Sequence, residues 1–221
     1  PLEHMLTQNI PGASGQRGTE SIQTITKTLQ TNIMNDVWLI SDTHFLHRNI
    51  LTFADADGNL IRGDRFSSCE EMNEYMIEQW NLLVAPTDTI YHLGDVFIGR
   101  KEDFLKIWKR LNGKKHLIAG NHDDIKFMAK SDLFKTISIW KQLPDLGLVL
   151  SHIPLDPSQL WRYRHDAPDN DHEGQIFLKN VHGHIHQKPS PTDNHFCVCV
   201  EHTNYAPVHV EDVVKQINTC G

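Results

Sequence analysis

The stretch VWLISDTH, residues 37–44, decides the fold because it joins a short apolar run to a polar cluster. The run VWLIS (37–41) is typical of a buried strand. TIYHLGD (89–95) and KHLIAGN (115–121) repeat the same combination further along the chain. We therefore predict three strands in this half of the protein, each of which leads into polar side chains.

Helical spacing of apolar residues separates these runs. Ser68 and Glu71 form a capping box, which marks the start of a helix. Apolar residues then recur every three or four positions, at Met72, Met76, Trp80 and Leu83. A second helix is marked in the same way by Phe104, Trp108 and Leu111. The alternation of strand and helix predicts βαβ units and a parallel sheet.

The second half of the chain is richer in strands. LGLVLSH (146–152), IFLKNVHGH (176–184) and HFCVCV (195–200) are typical of strands joined by loops, and a helix at about 211–218 closes the chain. We therefore predict an α/β fold in which two mixed β-sheets pack face to face with helices outside, an αββα sandwich. It would form a single domain over residues 34–221.

Residues 1–33 differ from the rest, because they are polar and contain no apolar stretch long enough for the core of a signal peptide. We expect a leader that is disordered or derived from cloning. The alternative is that SIQTITKTL (21–29) forms a short edge strand or helix.

Composition limits the possible functions of this 221-residue chain. No apolar run approaches the roughly 20 residues that a membrane helix needs, which predicts a soluble protein. The formal net charge of −7 disfavours a large nucleic-acid-binding surface, because phosphate contacts need clustered Lys and Arg. The four cysteines contain no CxxC pair, which favours a reducing cytoplasm over a disulfide framework. The oligomeric state is not predicted.

The predicted strands end in clusters of Asp, His and Asn. Ligands collect beyond the carboxyl ends of strands in an open α/β sheet, so we expect these clusters to converge, helped by the glycines that precede three of them. Oxygen and imidazole donors without thiolates suit divalent Mn, Fe, Ni, Co or Zn. Seven candidates are too many for one ion but fit two ions that share a carboxylate. They are Asp42, His44, Asp95, Asn121, His152, His184 and His186.

The ordered set D-x-H, G-D, G-N-H-D, H and G-H-x-H resembles the pattern of the calcineurin-like metallophosphoesterases, and SDTHFLHRNI (41–50) is similar to a compact bacterial and phage branch. The resemblance implies that Asp95 bridges the two metal ions. It assigns one ion to Asp42, His44, Asp95 and His186. It assigns the other ion to Asp95, Asn121, His152 and His184.

The resemblance also implies a reaction, the hydrolysis of a phosphate ester by a hydroxide held between the two ions. Asp95 and His122 would be the catalytic residues, with His122 beside the scissile phosphate. Asp123 could orient His122, although adjacent residues on a turn often face apart. His182 is the one histidine of the stretch VHGHIHQ (181–187) that is not a predicted ligand, and we expect it to have a structural role.

The substrate is less clearly indicated. Protein serine/threonine phosphatases of this family follow G-D with x-V-D-R-G, whereas residues 96–100 here are VFIGR, which argues against a protein substrate. We expect a small phosphodiester, with a nucleotide as one possibility. A phosphomonoesterase or nucleotidase, a nuclease of the same family and a non-catalytic scaffold of this fold stay open as alternatives. The candidate substrate contacts are His47, Asn49 and Arg65. Arg62 in the same loop could also grip a second phosphate or a sugar, and residues 200–208 could border the site.

Overall fold

The computed structural model describes residues 36–163 and 175–219. The predicted leader at 1–33, and the alternative strand or helix at 21–29, lie outside the described residues. The prediction of a single domain over 34–221 therefore stays a prediction. Within the two described ranges, no helix is long and apolar enough to cross a membrane.

The first sheet has five strands in the order β11, β1, β2, β3, β4. The four strands β1 to β4 run parallel, and β11 pairs antiparallel with β1. In this register Ile40 lies opposite His92, and His92 lies opposite Leu117, so the carboxyl ends of three strands lie side by side. The strands are β1 (Val37–Ile40), β2 (Thr89–His92), β3 (Lys114–Ile118), β4 (Ile137–Ser138) and β11 (Val208–His209).

The second sheet has four strands in the order β10, β9, β6, β5, and β7 and β8 form a separate antiparallel pair. The predicted strand at 176–184 is wrong in one respect, because it is divided at Leu178. The side chain of Leu178 packs there with Val149 and Leu160, while its N–H donates to the Leu160 carbonyl. The strands are β5 (Trp140–Leu143), β6 (Leu148–Ser151), β7 (Trp161–Tyr163), β8 (Gln175–Phe177), β9 (Lys179–His182) and β10 (His195–Cys197).

Four α-helices lie within the described residues: α1 (Cys69–Leu83), α2 (Lys101–Trp108), α3 (Ile125–Lys130) and α4 (Val210–Thr219). The capping box at the start of α1 is confirmed, since Ser68 Oγ accepts a 3.0 Å hydrogen bond from the N–H of Glu71. Short 3-10 helices occupy Arg48–Thr52, Pro144–Leu146 and Pro157–Gln159. Helix α3, which Asp124 caps, has too few turns to show a periodic pattern in the sequence.

Two apolar layers hold these elements together. On one face of the first sheet, Trp80 of α1 and Phe104 of α2 pack in a cluster with Ile90 of β2. On the other face the two sheets meet, through Leu39, Leu93 and Ile118 from the first and Leu148, Leu150 and Val181 from the second. The predicted α/β fold of two packed mixed sheets flanked by helices is confirmed.

The two sheets are also joined by backbone hydrogen bonds at the end of β1. Ser41 forms a parallel bridge with Cys199. Its N–H donates to the Val198 carbonyl at 3.0 Å, and its carbonyl accepts from the N–H of Val200 at 3.2 Å. Polar residues that follow strands of either sheet therefore come together at this seam.

Candidate metal centre

The structure brings all seven predicted ligands together beyond the ends of the strands. Asp42, His44 and His186, which we call the first ligand group, place one donor atom each within 4.8 Å of one another. Asn121, His152 and His184 form the second ligand group, in which Asn121 Oδ1 lies 2.9 Å from His152 Nε2 and 3.0 Å from His184 Nδ1.

Asp95 lies between the two groups. Its Oδ2 atom is 3.6 Å from His44 Nε2 in the first ligand group and 3.5 Å from His152 Nε2 in the second. Its other oxygen, Oδ1, accepts a 2.9 Å hydrogen bond from the N–H of His122. One carboxylate oxygen is thus available to both groups at once, while the other is fixed by the backbone.

The backbone of the ligand loops is unusual. Five of the seven predicted ligands have φ between 45° and 72°, in the left-handed region that non-glycine residues rarely adopt. Such conformations cost on the order of 1–3 kcal/mol each and are concentrated at functional sites. The five are Asp42, His44, Asp95, His184 and His186.

Glycines before the ligands serve two different purposes. Gly94 has φ +95°, so it forms the turn that the sequence predicts before Asp95. Gly183 has no positive φ; it is needed for space, because a Cβ there would lie 2.0 Å from Ser41 Oγ and 2.3 Å from Asp42 Oδ2. The same holds for Gly120, where a Cβ would lie 2.3 Å from Asp95 Oδ1. At Gly120 and Gly183 the glycine is therefore needed for space and not for a positive φ, although a turn starts at each of them, with the Asp123 N–H donating to the Gly120 carbonyl and the Ile185 N–H to the Gly183 carbonyl.

Unpartnered atoms of the first ligand group fit a cation. Asp42 Oδ2 accepts from Ser41 Oγ, from the N–H of His184 and from Cys199 Sγ, whereas the buried Oδ1 has no hydrogen-bond partner. Both ring nitrogens of His44 are likewise buried without a partner. Buried polar atoms are nearly always satisfied, so the unpartnered Asp42 Oδ1 and His44 Nε2, which lie 3.8 Å apart, indicate an ion site.

The second ligand group fits a cation for a different reason. His152 Nδ1 lies 2.7 Å from the Leu93 carbonyl and must donate to it, so the neutral ring carries its lone pair on Nε2. That lone pair points at the Asn121 carbonyl oxygen, 2.9 Å away, and is 3.3 Å from His184 Nδ1. His152 Nε2 and Asn121 Oδ1 are both acceptors, and two acceptors that face each other at 2.9 Å suit a shared metal ion better than a shared proton.

The protonation states of the cluster also suit metal ligands, which must be neutral imidazoles and ionised carboxylates. Burial lowers the pKa of His44 and of His184. Burial by itself would raise the pKa of Asp42, but the surrounding histidines hold it below its usual value. His186 differs: burial opposes its protonation, yet the hydrogen bond to Glu201 raises its pKa.

Behind the first ligand group lies a buried ion pair, which we call the Arg62–Glu201 pair. Arg62 Nη2 and Glu201 Oε1 are 2.7 Å apart, and Arg62 is only 1% exposed. Arg62 also donates to the carbonyls of Asp42 and Thr43, and Glu201 Oε1 accepts from His186 Nδ1. The prediction that Arg62 could contact the substrate is wrong, because its guanidinium is enclosed by protein groups.

His122 is placed at the open side of the cluster. Its side chain is 53% exposed, and its Nε2 lies 4.0 Å from Asp95 Oδ2. Asp123 does not orient this ring, because its carboxylate accepts from the N–H groups of Asp95, Val96 and Gly120. It therefore joins the loops that follow β2 and β3.

The predicted substrate contacts are placed differently from one another. The ring of His47 lies 5.4 Å from that of His44, and burial lowers the pKa of His47 to about 4. Asn49 is exposed on the 3-10 helix Arg48–Thr52. Arg65 donates to Tyr75 and lies over the rings of Tyr75 and Tyr205, 4.9 Å from each centroid. Only His47 is thus brought beside a predicted ligand.

His182 has the surroundings expected of a structural histidine. It is completely buried, with Nδ1 2.9 Å from the Gly183 carbonyl and Nε2 3.1 Å from Ser190 Oγ. Both ring nitrogens are occupied by protein partners, so neither is free for an ion.

Comparisons with known proteins show what the whole chain is similar to. A family model described as calcineurin-like phosphoesterase matches residues 36–215. The chain is 32% identical over 193 residues to an uncharacterized protein of Methanocaldococcus jannaschii, covering 83% of this chain and 92% of that protein. It is 24% identical over 181 residues to the Gene 66 protein of Mycobacterium phage L5, covering 69% and 78% of the two chains. A crystal structure of the protein of unknown function AQ665 from Aquifex aeolicus matches with a TM-score of 0.58 and 27% identity, over 82% of this chain and 99% of that one.

Proposed function

The chain belongs to the calcineurin-like phosphoesterase family, and from that premise we propose that it hydrolyses small phosphodiesters with two divalent metal ions. Metal-dependent hydrolysis of phosphate esters is what the family implies, and the resemblance of the ordered motifs is confirmed. The observation that carries the finer proposal is the position of Asp95 Oδ2, between His44 Nε2 at 3.6 Å and His152 Nε2 at 3.5 Å.

The proposed ligands follow from the two groups. The first ligand group with Asp95 would hold one ion, and the second ligand group with Asp95 would hold the other. Nitrogen and oxygen donors without thiolates favour Mn, Fe, Ni, Co or Zn. When bound, two such ions supply a water that ionises near neutral pH and neutralise charge on the phosphate oxygens.

His122 is the proposed acid and phosphate contact. Its backbone is held by the hydrogen bond from its N–H to Asp95 Oδ1, while its ring stays exposed to solvent at the open side of the cluster. An imidazole in this position can hydrogen-bond the phosphate and give a proton to the leaving oxygen, which typically contributes roughly 10²–10⁴-fold to a rate. His47 and Asn49 are proposed as further substrate contacts. That Arg65 contacts the substrate stays a prediction.

A diester is proposed because a monoester carries a second negative charge, which calls for a free cation near the ions. The two arginines considered for this purpose are engaged elsewhere among the described residues. Arg62 is bound by Glu201 and two backbone carbonyls, and Arg65 lies against Tyr75 and Tyr205. Neither arginine is therefore free to serve as the additional cation, which favours a singly charged diester.

We also propose that the protein acts in the cytoplasm on small molecules. The three described cysteines, Cys69, Cys197 and Cys199, are free and buried, as a reducing compartment allows. The net charge of −7 opposes an extended contact with nucleic acid.

The test uses the full chain, stripped of metal and reloaded separately with each of the five candidate ions. We expect hydrolysis of bis-p-nitrophenyl phosphate to exceed that of p-nitrophenyl phosphate by at least about tenfold in kcat/KM, which corresponds to about 1.4 kcal/mol. A faster reaction with the monoester would overturn the diester proposal. The absence of both metal binding and hydrolysis with every ion would overturn the catalytic one and favour a scaffold.

A further inference from the structure

We propose that the Arg62–Glu201 pair positions the first ligand group and sets the metal affinity of that group separately from the second. This inference rests on the proposed function, because it takes Asp42, His44 and His186 as ligands of one ion. It concerns two residues outside the ligand set, which act through their contacts with the ligands.

Arg62 fixes the loop that carries Asp42. Its Nη2 donates to the Asp42 carbonyl at 2.6 Å, and its Nη1 donates to the Thr43 carbonyl at 3.1 Å. The planar guanidinium holds its donors in a rigid fork, so two consecutive carbonyls are held in a set orientation. Asp42 has φ 56° here, a conformation that needs outside support. Arg62 is therefore well placed to keep the Asp42 carboxylate directed into the cluster.

Glu201 fixes the ring of His186. Its Oε1 accepts from His186 Nδ1 at 2.8 Å, which leaves Nε2 of that ring for an ion. The same oxygen accepts from Arg62 Nε at 2.8 Å, so a single atom connects His186 to the loop of Asp42. A carboxylate behind a metal-ligating histidine selects its tautomer and orientation, and removing such a partner typically weakens metal binding about 10–100-fold.

The second ligand group is supported differently. His152 Nδ1 is oriented by a neutral backbone carbonyl, that of Leu93, at 2.7 Å. Among the described hydrogen bonds and ion pairs of Asn121, His152 and His184, none joins them directly to Arg62 or Glu201. The backbone N–H of His184 donates to Asp42 Oδ2 at 2.8 Å, but within the described residues no ring or amide of the second ligand group is hydrogen-bonded to the pair. Loss of the buried pair should therefore be felt by one ion much more than by the other.

The experiment compares Glu201→Gln with wild type by calorimetric titration of the metal-free full chain with Mn²⁺ and with Zn²⁺. We expect two binding events in both proteins, with one weakened about 10–100-fold in the variant and the other changed less than about threefold. The matched control is Glu70→Gln, which removes the exposed Arg48–Glu70 pair and should change neither event. Equal weakening of both events, or of neither, would overturn the inference.

A second measurement separates positioning from general loss of structure. In metal-free protein with ¹⁵N-labelled histidine, the neutral ring of His186 should be protonated at Nδ1 in wild type and should lose this preference in Glu201→Leu, which removes the acceptor oxygen that glutamine would keep. If Glu201→Gln fails to fold, Glu201→Asp is used, since it keeps the charge but shortens the side chain, and the same selective weakening is expected. An unchanged His186 tautomer in Glu201→Leu overturns the inference.

Failure of this inference and failure of the proposed function give different results. Wild-type protein that binds no metal would remove the proposed function, and the inference with it. Wild-type protein that binds two ions and hydrolyses diesters, together with a Glu201→Gln protein that binds both ions as tightly, would remove only the inference.

Discussion

The carboxyl edge of the first sheet differs from the helix-covered face in its backbone conformation and in the hydrogen-bond partners of its buried polar groups. At the edge, where the loop that follows β9 of the second sheet also arrives, five ligands have left-handed backbones, and Asp42 Oδ1 and the His44 ring are buried without partners. On the face, the N–H groups of two buried indoles are satisfied: Trp80 Nε1 donates to the Asn112 carbonyl at 3.0 Å, and Trp108 Nε1 donates to that of Leu133 at 3.1 Å. The difference indicates that the helical face supplies stability, while the edge gives some of it up for function.

The strongest test of this division is Asp95→Asn at the edge. We expect hydrolysis to fall by more than roughly 10⁴-fold, because stabilisation by metal-ion charge is worth several kcal/mol and each 1.36 kcal/mol is a factor of ten. The midpoint of thermal unfolding of the metal-free protein should not fall, since asparagine tolerates the left-handed backbone at this position, where φ is 57°. The exposed Asp64→Asn is the control and should behave as wild type. Unfolding of the variant would show that the edge also holds the fold together.

His122→Ala should have the next largest effect. We expect kcat for a diester to fall roughly 10²–10⁴-fold, while metal content stays as in wild type, because the ring is exposed and lies outside both ligand groups. Elemental analysis and steady-state kinetics check the two halves of this expectation. His116→Ala, on the neighbouring strand β3, serves as control and should leave kcat unchanged. Loss of metal in His122→Ala would instead make His122 a ligand.

On the helical face, Trp80→Ala should lower the free energy of unfolding by about 3–5 kcal/mol, the usual cost of removing a buried aromatic side chain. Trp80 is completely buried. Urea denaturation measures this change, and the metal content of the protein that remains folded should equal that of wild type. Leu82→Ala on the same helix is the control, because Leu82 is 76% exposed and should change stability by less than about 0.5 kcal/mol. Loss of metal from folded Trp80→Ala protein would contradict the separation of the helical face from the edge.

The smallest effect is expected at the start of α1. Ser68→Ala removes the side-chain oxygen that accepts from the N–H of Glu71, and should cost about 1 kcal/mol of unfolding free energy. Ser68→Asn keeps an acceptor there and should cost much less. Both variants should retain wild-type kcat/KM, as measured with the diester substrate. A change in kcat/KM would contradict the separation of the helical face from the edge.

Local patterns predicted much of this structure from the sequence. Helix α1 was predictable because its signals are close in sequence: the cap Ser68 and the apolar residues Met72, Met76 and Trp80 lie within a few turns of one another. The convergence of the ligands followed from strand ends and motif order. The role of Arg62 could not be predicted, because its partner Glu201 lies 139 residues away and a buried arginine looks like a loop arginine until the fold brings the two together. The division at Leu178 likewise depends on Val149 and Leu160, which are distant in sequence.

Gly183 lies in no ligand set, yet the seam between the sheets leaves no volume for a methyl group at this position, 2.0 Å from Ser41 Oγ. In a saturation mutagenesis library selected for metal retention, this codon should tolerate only synonymous changes, as strictly as the codons of the ligands themselves. The close approach of the Gly183 backbone to the side chains of Ser41 and Asp42 is therefore as much a requirement of the centre as the identity of its imidazoles.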